Sequence, residues 1–168
     1  MINIGIIGAG QCNSSTGGIA YRAGFAVART GAVLYCGGLE GVMEHASRGA
    51  RDAGGTVIGI LPGDDRTGAN PYLSYSIPTG FGEARNSIVV KCSDVLIAIS
   101  GSYGTLSEIA YALKWGKPVA GIGTFRITDE NGQSAPIRYF DSPEEAVEWA
   151  AEIASNRSKI RSNREEAK

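Results

Sequence analysis

The chain has 168 residues, 43% of them hydrophobic, and a formal net charge of −1, which is enough for one domain with a proper core and an ordinary soluble composition. The near-neutral balance argues against a nucleic acid or an anionic membrane surface as the main partner, and no apolar run approaches the roughly 20 residues of a membrane span. Cys12, Cys36 and Cys92 are odd in number and show no Cys-x-x-Cys spacing; with no signal peptide in view, reduced thiols and a cytoplasmic location are expected.

The first predicted strand is 2–8, with Ile2, Ile4, Ile6 and Ile7, and it ends at Gly8-Ala9-Gly10. A polar loop from Gln11 to Gly18 is expected to follow. Ile19, Ala23, Ala26 and Val27 then fall at helical spacing, and Gly31 supplies a C-terminal cap. Val33-Leu34-Tyr35-Cys36 predicts a second strand, stopped by Gly37-Gly38, and a helix is predicted over 41–53. Val57 to Leu61 forms the third predicted strand, closed by Pro62-Gly63, with a polar loop over 64–74 and a short strand at Tyr75-Ser76-Ile77. A helix is predicted over 85–93, then a wholly apolar strand, Val95-Leu96-Ile97-Ala98-Ile99. Leu106, Ile109, Ala110 and Leu113 mark the next helix, which Trp115-Gly116-Lys117-Pro118 ends.

Val119 to Gly123 forms the following predicted strand. Asn131-Gly132 predicts a surface hairpin, and Ile137 to Phe140 an edge strand. Ser142-Pro143-Glu144-Glu145 combines a serine cap, proline at the first helical position and a glutamate three residues on, so it opens a helix carrying Ala146, Val147, Trp149, Ala150 and Ile153. From Asn156 the chain is polar and is expected to fray. The predicted organisation is thus one ligand-binding domain over 1–155 and a polar tail over 156–168.

Strands that are apolar throughout, alternating with helices, imply an α/β fold: a single doubly wound parallel sheet, Rossmann-like, with helices on both faces. Such sheets bind ligands at the carboxyl ends of their strands. Four glycine-rich loops fall there, Gly8–Gly18, Gly37–Gly41, Pro62–Gly63 and Gly101–Gly104, and they are expected to converge on one cleft.

The stretch Ser100-Gly101-Ser102-Tyr103-Gly104-Thr105-Leu106-Ser107-Glu108 is the most informative. A glycine-rich turn from strand to helix leaves backbone N–H groups free, and the helix dipole adds about half a positive charge there. Phosphate binding at Gly101, Ser102, Gly104 and Thr105 is one reading; an empty βα turn is the other. The spacing is not that of a P-loop. Gly8-x-Gly10 lacks a correctly placed third glycine, and Cys36-Gly37 stands where a dinucleotide fold carries an acid, so NAD is not expected. Gly10, Ser14, Gly37 and Gly38 are the candidate cleft lining. Arg85, Asn86 and Glu108 form a candidate polar cluster, either a guanidinium and carboxylate that handle a phosphorylated ligand or a structural ion pair. No metal-ligand cluster is present in the pattern, and His45, the single histidine, reads as a helix-surface or core residue.

Several segments together resemble the molybdenum cofactor carrier protein family: Gly37-Gly38-Leu39-Glu40-Gly41-Val42-Met43, Gly49-Ala50, Gly54 to Gly63, Thr79 to Asn86, Gly104-Thr105 with Glu108, and Gly116-Lys117-Pro118-Val119. The resemblance covers roughly residues 3–124. It implies a Rossmann-like fold, a homo-oligomer (dimer or tetramer), and binding of molybdenum cofactor (molybdopterin) for storage and delivery, with its phosphate on backbone amides. It further implies dealings with molybdoenzymes or cofactor-synthesis proteins. That family is similar in turn to the LONELY GUY phosphoribohydrolases, whose signature is Pro-Gly-Gly-x-Gly-Thr-x-x-Glu with an Arg-Lys pair upstream. Arg85 and Glu108 match that family's catalytic arginine and glutamate. Ser100, Ser102 and Asn86 depart from its proline, second glycine and lysine. The resemblance therefore implies a binding protein first and a nucleoside monophosphate hydrolase second. Nothing in the chain resembles a pyridoxal-phosphate enzyme, so PLP and decarboxylation are not expected.

Overall fold

Strands with apolar side chains on both faces need cover on both, and the structure supplies it. A computed structural model describes residues 1–166, with side chains through residue 159. Seven parallel strands form one sheet: β1 (Asn3–Gly8), β2 (Val33–Cys36), β3 (Val57–Leu61), β4 (Tyr75–Pro78), β5 (Val95–Ile99), β6 (Val119–Ile122) and β7 (Ile137–Tyr139). Their spatial order is β4-β3-β2-β1-β5-β6-β7, and every neighbouring pair is parallel. The chain winds outward from β1 in one direction, then returns to β5 and winds in the other. With right-handed crossovers, that reversal puts the helices on opposite faces.

The helices are α1 (Ser14–Arg29), α2 (Val42–Asp52), α3 (Asn86–Cys92), α4 (Tyr103–Lys114) and α5 (Pro143–Glu166). Ala20, Ala23 and Val27 of α1, Ala46 and Ala50 of α2, and Ala146 and Ala150 of α5 pack on one face with Ile4, Ile6, Leu34 and Ile97. Val89 and Val90 of α3, and Ile109 and Ala112 of α4, pack on the other with Ile7, Ile60 and Leu96. This is the predicted doubly wound α/β fold. Among the described residues no helix is long and apolar enough to cross a membrane.

Three elements depart from the sequence reading. Helix α1 starts at Ser14, so the polar loop ends at Asn13, whose side chain accepts the Thr16 N–H at 2.9 Å. The paired glycines at 17 and 18 hide that start. Arg85 closes a short 3-10 turn, Gly82–Arg85, before α3 begins at Asn86. Helix α5 runs past Asn156 to Glu166, where a fraying tail was expected; residues 167 and 168 of that tail lie outside the described residues. The expected hairpin at Asn131-Gly132 is a turn closed by the antiparallel bridge between Thr128 and Ser134.

Helices α1 and α2 lie unusually close because glycine lets them. A Cβ on Gly24 would run into the backbone of Ala46, and one on Gly49 into the backbone of Tyr21. Backbone cannot yield as a flexible side chain can, so overpacking here costs roughly 1–3 kcal/mol. Gly18, on the exposed side of α1, has open space where its Cβ would stand. Gly24→Ala is therefore expected to lower the free energy of unfolding by about 1–3 kcal/mol, whereas Gly18→Ala raises it by up to about 1 kcal/mol through helix propensity. Urea denaturation of the two variants checks this; equal shifts would refute the close-packing account.

Candidate functional site

The carboxyl ends of parallel strands all point to one edge, so the loops after β1, β2, β3 and β5 meet there. They enclose a cavity of about 370 Å³. Gly10, Gly37, Arg85, Asn86, Ser102, Gly104, Thr105 and Glu108 line it, all of them singled out from sequence. Gly38, Gly101 and Ser14 are not among its lining. Gly38 turns the chain after β2 at a φ of 75° and lies against Leu61 and Gly59. Gly101 sits under Thr105. Ser14 is exposed on the first turn of α1.

One wall is the start of α4. Ser100 has a φ of 53°, unique among the described non-glycine residues, and Gly101 follows at 135°. The two together turn the chain from β5 into α4. A Cβ at Gly101 would come within 2.7 Å of the Thr105 Cβ, so both the turn and the packing require glycine there. Ser102 is the extended N-cap residue, and its side chain makes no capping bond. The first helical bond is from the Leu106 N–H to the Ser102 carbonyl at 2.9 Å. The N–H groups of Tyr103, Gly104 and Thr105 thus remain available at the positive end of the helix.

The floor is charged. Arg85 is 7% exposed and Glu108 6%. Arg85 Nη1 donates to Asn86 Oδ1 at 2.5 Å, and its Nε is buried with no partner. The Asn86 Nδ2 donates onward to Ser107 Oγ at 3.1 Å. Arg85 Nη1 stands 3.8 Å from Glu108 Oε1, an ion-pair distance but too long for a hydrogen bond. A Cβ on Gly37 would come within 2.8 Å of both Arg85 Nη atoms, so glycine at 37 is what makes room for the guanidinium.

Burial pushes the Glu108 carboxyl up to about 8, against the opposing pull of Arg85. At neutral pH it is therefore largely protonated and can donate a hydrogen bond. Burial also lowers Arg85, with Glu108 working against that, but a guanidinium keeps its charge. Cys36 is fully buried, 3.6 Å from Ser47 Oγ, and burial raises its thiol. His45 is half-buried, and its ring lies against Gly17 between α1 and α2.

Gly8 and Pro62, from two of the loops expected to converge here, also line the cavity. Sequence reasoning passed over Ile7, Leu39, Met43 and Glu83, which complete the lining. It also passed over Asn70. That residue lies in the β3–β4 connection, yet it is buried and its Nδ2 donates to the Leu39 carbonyl at 3.1 Å, pinning the connection to the β2–α2 loop. Leu39, Met43 and Glu83 stand inside recognised glycine-rich segments; Asn70 has no pattern of its own.

A family model described as the SLOG cluster 4 family matches residues 1–147. The chain belongs to the SLOG cluster 4 family. An uncharacterised protein of Archaeoglobus fulgidus is 45% identical over 149 residues, which is 89% of this chain and 94% of that protein. A molybdenum cofactor binding protein from Rippkaea orientalis is similar in structure, with a TM-score of 0.78 and 37% identity, covering 90% of this chain and 95% of that one. A molybdenum cofactor carrier protein from Chlamydomonas reinhardtii gives a TM-score of 0.80 at 31% identity, covering 92% and 98%. Rice LOGL9, a probable cytokinin riboside 5′-monophosphate phosphoribohydrolase, is 32% identical over 93 residues. The alignment spans 53% of this chain and 40% of the length of that rice relative. The family resemblance seen in the sequence thus holds on both sides, cofactor carriers in structure and LONELY GUY hydrolases in sequence.

Glu108 makes stability depend on pH. The unfolded chain sheds this proton near the ordinary glutamate value, while the folded chain holds it to about 8. Between the two, stability falls as pH rises, by up to about 1.4 kcal/mol per pH unit, and levels off above the folded value. Glu108→Gln removes this dependence. The variant is expected to gain on the native protein steadily from pH 5 to pH 8.5 in denaturant titrations. A constant difference across that range would mean that Glu108 is ionised in the folded protein throughout.

Proposed function

We propose that the protein binds a phosphorylated pterin, molybdenum cofactor, and holds it for storage and delivery without turning it over. The observation that carries this reading is the buried Arg85 guanidinium set against the uncapped start of α4 in one cavity. A dianionic phosphate satisfies both, through charge on one side and backbone N–H groups on the other. Protonated Glu108 then donates to the ligand rather than repelling it. Gly37 and Gly10 give the ligand close approach to backbone. The likeness to cofactor binding and carrier proteins supports the choice of cargo.

A second reading follows from one specific observation: Arg85 and Glu108 hold the hydrolase positions and lie together in the cavity. In it, Glu108 activates attack at the ribose anomeric carbon of a nucleoside monophosphate. Two features favour binding over hydrolysis. A carboxyl protonated at neutral pH is a poor base. Asn86, in place of the hydrolase lysine, accepts from Arg85 and brings no second positive charge.

The reading includes a cytoplasmic homo-oligomer. Edge strand β4 carries Tyr75 at 65% and Ile77 at 46% exposure, with Phe81 at 65% beyond it, an apolar edge suited to a second copy.

Equilibrium binding of molybdenum cofactor decides the main point. Arg85→Ala is expected to weaken it by roughly tenfold to a hundredfold, the worth of a charge-assisted pair, and Ser102→Asp to weaken it comparably by placing a negative charge at the helix start. Incubation with nucleoside 5′-monophosphates is expected to leave them intact. Release of free base, abolished by Glu108→Ala, would overturn the carrier reading in favour of the hydrolase.

A further inference from the structure

The carboxyl edge of the sheet carries more than the cavity beside α4. Beyond the Ser100–Gly101 turn lie two adjoining hollows, of about 270 and 190 Å³, which share Ser100 and Gly123. The larger is lined on its apolar side by Ile99, Ile122 and Phe140, and on its polar side by Thr16, Ser100 and Asp141. Asp141 is exposed, and among the described residues no hydrogen bond or ion pair engages its carboxylate. The smaller hollow is lined by Thr124, whose Oγ1 is buried without a partner.

An apolar slot with one unpaired carboxylate at its rim suits a flat ring carrying two adjacent N–H donors. Two parallel N–H bonds to one carboxylate are geometrically selective as well as strong. The slot lies at the ends of β5, β6 and β7; the phosphate cavity lies at the ends of β1, β2, β3 and β5. From β2 to β6 there are three interstrand steps, about 14 Å at the usual spacing, which a phosphate and a fused ring joined by a short linker can span.

We propose that this slot takes the planar ring of the ligand whose phosphate lies on α4, and that Asp141 reads its 2-amino-4-oxopyrimidine edge. The inference rests on the phosphorylated-pterin reading above and adds a specificity residue and a second half to the site. Asp141 accepts from the ring N–H and the exocyclic amine, Thr16 and Ser100 offer hydroxyls at the same rim, and the isoleucines and Phe140 face the ring. Pterins and guanine share this edge, so the chemistry named is the edge itself.

The test is fluorescence titration of the whole protein with 2-amino-4-oxopteridine and with lumazine, which has oxygen in place of the amine. Native protein is expected to bind the amino compound at least tenfold more tightly. Asp141→Asn, at an exposed position where folding is not at stake, is expected to narrow that preference to within about twofold, as loss of charge-assisted bonds dictates. Displacement of the pterin by guanosine 5′-monophosphate at a lower concentration than by adenosine 5′-monophosphate supports edge recognition and marks guanine as a second source of it. Equal displacement by the two, equal binding of the two pteridines, no saturable binding of either, or a preference that survives in Asp141→Asn overturns the proposal. Arg85→Ala separates this from the phosphate site. Loss of cofactor affinity there, with Asp141→Asn inert, removes the ring slot and leaves the phosphate reading standing. A ring preference that persists in a protein whose cofactor affinity ignores Arg85 does the reverse.

Discussion

A guanidinium buried short of negative charge is the constraint around which this structure is arranged. Arg85 cannot be neutralised by losing a proton, and isolated buried charge is costly. Its surroundings only half answer it. Asn86 offers a neutral oxygen, Nε has no partner, and Glu108 stands beyond hydrogen-bond reach with its proton largely retained. On the proposed reading an anion brought from outside meets the remaining deficit, and the rest of the cavity leaves room for one. Gly37 withholds a side chain so that the guanidinium fits, and α4 begins without a side-chain cap so that its amides stay open.

The same arrangement separates holding from reacting. Hydrolysis asks a carboxylate to act as base or nucleophile in its charged form. Here desolvation outweighs the pull of Arg85, and Glu108 is a donor at neutral pH. A donor, a cation and a helix start meet in one cavity, and on the proposed reading they hold a phosphate without driving bond cleavage. The sequence relatedness to hydrolases and the structural likeness to cofactor carriers are then compatible: one scaffold places arginine and glutamate together, and the groups around them set the charge of the glutamate.

Much of the fold was legible because its causes are local. Val95 to Ile99 is apolar at every position, and such a strand is stable only inside a parallel sheet with helices on both faces. Gly37-Gly38, Pro62-Gly63 and Gly101 mark strand ends because the chain turns sharply there. The start of α1 was missed because Gly17 and Gly18 mimic a loop, although Gly17 is required by the ring of His45 and Asn13 supplies the cap. The length of α5 was missed because its later turns are polar, so periodicity carries no signal there. Asn70 was missed because a lone asparagine in a loop looks like turn chemistry until its partners, Leu39 and Ser47, are seen beside it.

By itself, the sequence determined the elements, the doubly wound sheet and the edge at which its glycine-rich loops form a cavity, since periodicity and glycine placement act over a few residues. It also named Arg85, Asn86 and Glu108 as a group. Only the tertiary structure decided how that group behaves, because charge state depends on burial and burial is made by distant segments. Residues 37, 85 and 108 converge from a loop, a 3-10 turn and a helix to desolvate one carboxyl and leave one guanidinium unsatisfied. Tertiary structure likewise set Ser14 outside the Arg85 cavity and left Asp141 unpaired beside Ser100, a juxtaposition across 41 residues of chain that no local pattern records.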